Sequence, residues 1–510
     1  MSKLTRTSIL LAVFFGIDKI LAILRSVIVQ RQFGISKAFD VFNVANNIPD
    51  LLFALISGGA LAMAFIPVLT EVITNKGRED AWDLFSRIAN LAFISTAGLA
   101  IVVALLAEPI VRGQFGVAPG FGRDQQDLVI ELMRLNLIAT LIFSISGLVM
   151  AGLQANQQFL LPALAPILYN VGQIFGAVIL SPEHGYSFGG ITLPAFGMGV
   201  HGLVYGVILG AVLHLAIQIP GLLIYRFHWI AKIGVKTELV RKVLRLIGPR
   251  LGTMFCIQLI FIIRDNLASR LQVGAPGTLT IGWMIMQVPE TLIGTAIGIA
   301  LLPTLSQLAA RQEGEEFRAT LQRATQVIVA VTLPVAVVLM FGLPPLLETV
   351  FRLNTQEASM LIWVTRGFLV GLTGQCLMEV AVRSFYARQD AITPLVTAGI
   401  NLLVYVLLAL SFYRWLGAPG ISLADSLAFT SQAVILLALL NRRLVQPIAP
   451  QTSLLRALAA AILGGAVVFG ISQLPVYAQQ PLVMGVVALA LGGLVALLPI
   501  HKEIRLLLRL

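Results

Sequence analysis

Apolar runs of about twenty residues follow one another along the whole chain, each long enough to cross a hydrocarbon core of ~30 Å. Their approximate cores are 8–30, 40–73, 86–107, 128–154, 159–180, 198–225, 247–271, 279–310, 323–346, 360–386, 393–414, 418–440, 454–474 and 481–500. Strands of a membrane barrel would instead alternate apolar and polar positions over about ten residues. The pattern therefore predicts an all-α, polytopic membrane protein of about 14 transmembrane helices. The second and eighth runs are overlong and contain Pro49, Pro67, Pro289 and Pro303. They are expected to tilt or bend.

Composition agrees. Of 510 residues, 58% are hydrophobic and 12% charged, against about a quarter charged in a soluble protein. The formal charge of +11 is gathered in particular loops, which is how topology is set, and does not form a nucleic-acid face. Lys76 and Arg78 follow the second run. Arg226, Lys232, Lys236, Arg241, Lys242 and Arg245 follow the sixth, and Arg311, Arg318 and Arg323 the eighth. Arg442, Arg443 and Arg456 follow the twelfth, and Lys502, Arg505 and Arg509 end the chain. The opposite loops, "SPEHGYSFGGITLP", "QVGAPG" and "SQLPVYAQQP", contain no Lys or Arg. Both termini are thus expected on the cytoplasmic side. The run "YRFHWIAKIGVKTELVRKVLRL" reads as a positive-inside connector, or as an interfacial helix on anionic lipid. The opening "MSKLTRTSILLAVFFGI" imitates a secretion signal but has no small-residue cleavage site, so it is read as a retained first span. Cys256 and Cys376 both lie in apolar runs, as small hydrophobes. No metal-ligand spacing, phosphate-binding loop or nucleophile elbow is present, so no metal, cofactor or ATPase activity is expected.

The chain repeats itself. "GGALAMAFIPVLTEVITNKGREDAWDLFSRI" (58–88) resembles "GTAIGIALLPTLSQLAARQEGEEFRATLQRA" (294–324), aligning Pro67 with Pro303. "LRSVIVQRQFG" pairs with "IRDNLASRLQVG", aligning Arg25 with Arg264 and Gly34 with Gly274. "NNIPDLL" pairs with "QVPETLI", and "NQQFLLPALAPILYN" with "RQDAITPLVTAGIN". The shift spans an even number of helices, so equivalent helices run the same way through the membrane. This predicts two pseudo-symmetric six-helix lobes: 1–226, a basic cytoplasmic connector at 227–246, and 247–441, followed at 442–510 by two extra helices and a tail. Parallel repeats of this kind commonly enclose a central site and alternate its access. The two extra spans lie outside the repeat and are expected to face lipid or form an accessory groove.

Ionisable residues interrupt several runs. A charge in hydrocarbon costs at least a few kcal/mol, so such groups face a bundle interior or a wet cavity. "FFGIDKILAILRSVIVQ" carries Asp18, Lys19 and Arg25. Asp18 and Arg25 share one helical stripe but are separated by ~10 Å of rise, too far for a tight ion pair. Lys19 points ~100° away. Asp40 opens the second run and is a candidate partner for Arg25. The second lobe has Arg264 and Asp265, Glu290 after Pro289, and Glu379 with Arg383 at the i, i+4 spacing of a helix-face ion pair. The bland reading of these pairs is an internal bridge locking helices together. Arg25 is favoured for function because a guanidinium grips phosphate bidentately.

"ILRSVIVQRQFGISKAFDVFNVANNIPDLLFALISGGALAMAFIPVLTE", "GLQANQQFLLPALAPILYN", "ALLPTLSQ" and "RSFYARQDAITP" resemble, in order, landmarks of the MviN/MurJ family of the multidrug/oligosaccharidyl-lipid/polysaccharide exporter superfamily. The resemblance implies a 14-helix fold of two lobes in the bacterial cytoplasmic membrane. It implies a flippase, not an enzyme, that moves lipid II, the undecaprenyl-pyrophosphate-linked peptidoglycan precursor, by alternating access. It implies a lipid-linked glycan and the bilayer as partners; a coupling cation and the membrane potential are the candidate drives, between which the sequence does not choose. By residue, Lys19, Arg25, Asp40 and Arg264 become the candidate substrate-binding group, and Asp18, Asp265, Glu290, Glu379 and Arg383 candidates for gating or coupling. Phe53 and Met284 stand where the family usually carries arginines, and Gly58 where it carries a glutamate. Export of another polyprenyl-linked glycan, or cation-coupled drug antiport within the same superfamily, are the alternatives.

Overall fold

The computed structural model describes residues 3–56, 59–188, 190–444, 446–448 and 451–507; Gly58 and Arg509 lie outside them. It consists of helices, apart from a small hairpin that pairs Ser187–Phe188 with Ile191–Thr192. The chain divides into two compact units, residues 1–270 and 271–510.

The first unit contains α1 (Lys3–Phe33), α2 (Lys37–Ile56), α3 (Gly59–Asn75), α4 (Arg78–Leu105), α5 (Ala107–Arg112), α6 (Arg123–Ala155), α7 (Leu160–Phe175), α8 (Val200–Ala216), α9 (Ile219–Ile224) and α10 (Glu238–Ala268). The second contains α11 (Ala275–Glu290), α12 (Ala296–Ala310), α13 (Gly314–Gly342), α14 (Pro344–Phe351), α15 (Thr355–Val370), α16 (Leu372–Ala387), α17 (Ile392–Leu416), α18 (Ala418–Asn441), α19 (Gln451–Ser472), α20 (Pro475–Gln479), α21 (Pro481–Leu497) and α22 (His501–Leu507).

Ten helices among the described residues are long and apolar enough to cross a membrane. The number is eleven if α15 and α16, bent by 41°, make one span. The other runs read from the sequence are helical too, as α1, as α2 with α3, and as the 17-residue α21.

The duplicated segments carry the same backbone punctuation. Gly34 closes α1 and Gly274 opens α11, at φ of 63° and 90°, a left-handed conformation that disfavours any Cβ. Pro49 lies late in α2 and Pro289 late in α11. A proline withdraws one amide from the helical ladder. Behind Pro289 the chain passes through a π-helical turn, Thr291–Thr295, before resuming as α12. The expected break in the eighth span is thus a change of helical register.

In the first unit, α6 is central. It packs on α2, α4, α3 and α8, and its residues Leu148 and Leu153 join Phe65, Trp82, Phe85 and Val243 in one buried cluster. α10 packs on α2, α3 and α4. The basic connector is helical only in its second half, where residues 238–246 open α10. Residues 227–234 lack helix and are strapped along α4. Asn90 Nδ2 donates to the carbonyls of Ile230 (2.8 Å) and Lys232 (3.0 Å), and Trp229 Nε1 donates to Asn90 Oδ1 (2.7 Å). Side chains of α4 thereby supply partners that a helix would have found internally.

α7 packs closely on α8. Glycines recur every fourth position, at Gly172 of α7 and Gly176 of the π-helical turn that follows it (Gly176–Leu180), and at Gly202, Gly206 and Gly210 of α8. A Cβ added at Gly176 would stand 2.6 Å from Gly206 Cα. Small residues let backbones approach where lipid offers no hydrophobic drive to associate. In the second unit, α19 and α21 pack on α13 and on each other. The buried Glu503 of α22 ties the tail back to α19 through Ser453 (3.1 Å) and Arg456 (3.0 Å).

Asp390 caps α17. It accepts from the amides of Ile392 and Thr393, from the Thr393 hydroxyl, and from Arg443 Nη1 at 2.7 Å. Partial burial alone would raise its carboxyl, but the Thr393 amide and hydroxyl and the Arg443 guanidinium outweigh this and hold it at about 2.

Gly172→Leu should force α7 off α8 and lower the melting temperature in detergent, the usual overpacking loss being about 1–3 kcal/mol. Gly399→Leu on α17, where an added Cβ meets nothing within 4 Å, should leave it unchanged. The Asp390 cap should contribute fully above the ordinary carboxylate range and be lost as pH falls toward about 2, because its folded pKa is depressed. Thermal melts of wild type and Asp390→Asn across acidic pH should therefore converge at the acid end.

Candidate substrate site

α1 runs without interruption through Asp18, Lys19 and Arg25. Asp18 and Arg25 face α7, where Asn170 joins them. Its Nδ2 donates to Asp18 Oδ1 at 2.8 Å, and Arg25 Nη1 donates to its Oδ1 at 3.2 Å. An amide offers a donor and an acceptor on one side chain, so a single buried Asn170 spans the two turns that separate the charges. The glycine contact between α7 and α8 fixes the helix that carries it.

Tyr169 precedes Asn170 on α7, and Asp50 lies one turn before Phe53 on α2. Asp50 is exposed, while Asp18 and Arg25 are half-buried. Asp50 makes no hydrogen bond or ion pair among the described residues. Arg25 uses one of its five N–H donors on Asn170, and the others have no protein partner there. Beside this charged group lies an aromatic one. Phe143 of α6 meets Phe53 (5.2 Å), Tyr169 (5.1 Å) and His214 (5.3 Å) between ring centres. His214 Nδ1 in turn shares a 2.6 Å hydrogen bond with the Ser146 hydroxyl. Phe53, at a position where the resemblance leads one to expect arginine, is part of a packed aromatic wall.

The remaining candidates fall elsewhere. Lys19 is exposed on another face of α1. Asp40 is buried at the start of α2, ten residues and ~15 Å of rise from Asp50. The hydrogen bond of Arg25 goes to Asn170 of α7. Arg264 and Asp265 are buried neighbours on α10, with Arg264 Nε donating to Asp265 at 3.3 Å. Asp265 also accepts from Asn47 of α2, and the guanidinium lies 4.8 Å from the Phe261 ring centre. This pair ties α10 to α2, the helix-locking alternative weighed for such charges.

In the second unit, Glu290, Glu379 and Arg383 come together. Arg383 Nη1 donates to the Glu379 carboxylate and, at 3.0 Å, to its backbone carbonyl. Glu290 is buried, accepts from the hydroxyls of Thr295 (3.0 Å) and Thr291 (3.4 Å), and feels the charges of both other residues. Gly298 makes room for the guanidinium, since a Cβ there would stand 2.7 Å from Arg383 Nη1. Met284 is half-buried on α11.

Asn170 and Asp50 are absent from the candidates read off the sequence. A signal for Asn170 was present: the paired segments "NQQFLLPALAPILYN" and "RQDAITPLVTAGIN" both end in asparagine. Asn401 is likewise buried, donating to Gln432 at 2.8 Å.

A bundle of apolar helices with duplicated segments and charges turned inward defines a membrane transporter. Its fold is shared with a solved structure described as lipid II flippase MurJ in an inward closed conformation (TM-score 0.76, 19% identity, 95% of this chain and 98% of that one). It is also similar to an inward-facing multidrug resistance MATE family transporter of the MOP superfamily (TM-score 0.68, 16% identity, 85% and 98%). The family model for lipid II flippase MurJ matches residues 29–489, and the chain belongs to that family. Relatives include the lipid II flippase MurJ of Burkholderia cenocepacia, 30% identical over 457 residues covering 87% of this chain and 85% of that protein. Another is a probable lipid II flippase MurJ of Haemophilus influenzae, 26% identical over 451 residues covering 82% and 83%.

Asn170→Leu should strip both charges of their shared partner and lower stability by about 1–3 kcal/mol, read as a lower melting temperature in detergent. Asn401→Leu should also destabilise, since Gln432 then loses its acceptor's partner, but should spare the charged group on α1.

Proposed function

We propose that the protein is a flippase that carries lipid II across the bacterial cytoplasmic membrane. Membership of the MurJ family supports the assignment, and translocation makes and breaks no covalent bond. The observation that carries it to a residue is Arg25: a guanidinium midway along an apolar helix, held by one amide and with most of its donors unspent. A pyrophosphate presents adjacent anionic oxygens that such a fork binds bidentately. The neighbouring aromatic wall of Phe53, Phe143 and Tyr169 suits the apolar faces of sugar rings or the first isoprenes of the carrier.

The cycle is alternating access, as expected for parallel repeats. Both termini lie in the cytoplasm, following the charge asymmetry of the loops. Coupling is assigned to the Glu290–Glu379–Arg383 group, where Glu379 holds the guanidinium and the buried Glu290 accepts from two threonine hydroxyls. A second reading, export of another polyprenyl-linked glycan, draws on Phe53 and Met284 at usual arginine positions, because a less cationic wall fits a headgroup held in other ways.

Expression in a bacterium depleted of its lipid II flippase should restore growth, and purified protein in vesicles should translocate lipid II. Arg25→Ala should lower translocation by about tenfold or more, the size of a lost charge-assisted hydrogen bond, with Arg25→Lys intermediate. A protein that fails to restore growth yet moves a different polyprenyl-linked glycan would establish the second reading.

A further inference from the structure

At the end of the first unit where α4 and α10 stop, the chain between α5 and α6 turns back on itself. The amides of Val117 and Ala118 donate to the carbonyls of Ile110 and Val111 at 2.9 and 3.1 Å. The turn leaves a pocket of about 480 Å³, walled by Ile48 of α2, Pro109 and Ile110 of α5 and Ile262 of α10. Ile262 lies six residues, ~9 Å of rise, inside the end of α10, so the floor of the pocket is at hydrocarbon depth. Phe115 also lines it and is 92% exposed, which puts this ring at the rim. A bare aromatic ring at the end of spanning helices has the placement of an interfacial anchor.

The rim carries both signs of charge. Arg270 is held by Asn266: its Nε donates to Asn266 Oδ1 (3.2 Å), and both side chains donate to the carbonyl of the pocket residue Gln114, from Arg270 Nη2 at 2.8 Å and Asn266 Nδ2 at 3.0 Å. Arg270 Nη1 has no partner among the described residues, and no carboxylate there pairs with this guanidinium. Two positions before Gln114, Arg112 is claimed by two carboxylates, Glu108 and Asp127. That group is therefore net negative, and each carboxylate keeps one oxygen without a partner among the described residues. A placed guanidinium with open donors and a surplus carboxylate thus flank one apolar pocket.

A simple anion is repelled by the second group and a simple amine by the first. A molecule with a phosphate, an ammonium and an apolar chain satisfies both and fills the space beneath. We propose that the pocket seats a zwitterionic phospholipid of the bilayer. One acyl chain lies against Ile48, Ile110 and Ile262, the phosphate meets Arg270, and the ammonium lies toward Glu108 and Asp127. On the orientation proposed above, this lipid belongs to the outer leaflet. It braces the α5–α6 turn against α2 and α10 by occupying the gap that their own side chains leave.

The test uses the full chain in detergent and a phosphatidylethanolamine with a diazirine near the end of one acyl chain. Irradiation should label the segment 106–117 or the α10 segment around Ile262, and unlabelled phosphatidylethanolamine should compete. Phosphatidylglycerol, which has the phosphate but no ammonium, should compete about threefold to fivefold more weakly, the size of an exposed ion pair. Arg270→Gln, at an exposed position, should lower labelling of the pocket by about tenfold, as for a lost charge-assisted hydrogen bond. Ile262→Trp fills the pocket and should abolish labelling there while labels elsewhere on the chain persist. If Ile262→Trp fails to fold, Arg270→Gln still decides. Labels confined to other segments, or pocket labelling indifferent to Arg270→Gln, overturn the proposal. So does phosphatidylglycerol competing as well as phosphatidylethanolamine, which makes the rim an anion site. Undecaprenyl pyrophosphate displacing the probe better than either phospholipid also overturns it, by putting the pocket on the path of the cargo.

Discussion

An arginine inside an apolar helix has to be met from another helix, and much of the first unit is arranged around that requirement. Arg25 and Asp18 sit two turns apart on α1, beyond direct reach. Asn170 satisfies one with its oxygen and the other with its nitrogen. That is possible only if α7 is held at a set distance and rotation, and the glycine rows of α7 and α8 do this by letting two backbones touch. Van der Waals contact between glycines, with no chemistry of its own, thereby positions the group that has the chemistry.

The two copies of the repeat show which features duplication preserved and which diverged. Left-handed glycines at 34 and 274, late prolines at 49 and 289, and buried asparagines at 170 and 401 occupy matching places. These are constraints on backbone and packing. The charges did not stay in step. In the first unit they gather between α1, α2 and α7. In the second they gather between α12, α16 and the π-helical turn. Asn401 faces Gln432 where Asn170 faces two opposite charges. Arg264, the repeat counterpart of Arg25, is committed to Asp265 and Phe261 within buried packing. One copy keeps an open guanidinium while its counterpart became a brace between α10 and α2.

Charge economy is a theme of the whole chain. In the first unit one amide serves a carboxylate and a guanidinium, and in the second the Glu379–Arg383 pair leaves Glu290 bonded to hydroxyls instead. Phe53 continues this restraint. Where the family resemblance leads one to expect a further arginine, an aromatic ring packs on Phe143. A site with fewer cations holds an anion less firmly, which suits a transporter that must also release it.

The sequence by itself determined the class, the helices, the repeat and the orientation signal, because apolar runs of membrane length, loop charge and proline or glycine punctuation are local properties of the chain. It also marked Arg25, Glu379 with Arg383, and Arg264 with Asp265 as unusual, since charges in such runs stand out without any coordinates. Only the tertiary structure decided their partners. Asp18 and Arg25 looked too far apart to cooperate because the bridging amide lies some 145 positions further along the chain. Asp40 looked like the partner of Arg25 because it opens the next helix, yet the hydrogen bond that Arg25 makes goes to Asn170 of α7. Glu290 is brought toward the Glu379–Arg383 pair by a π-helical turn and an α12 that both pack on α16. Pairing across helices depends on rotation and approach distance, and those are set by packing that no local pattern records.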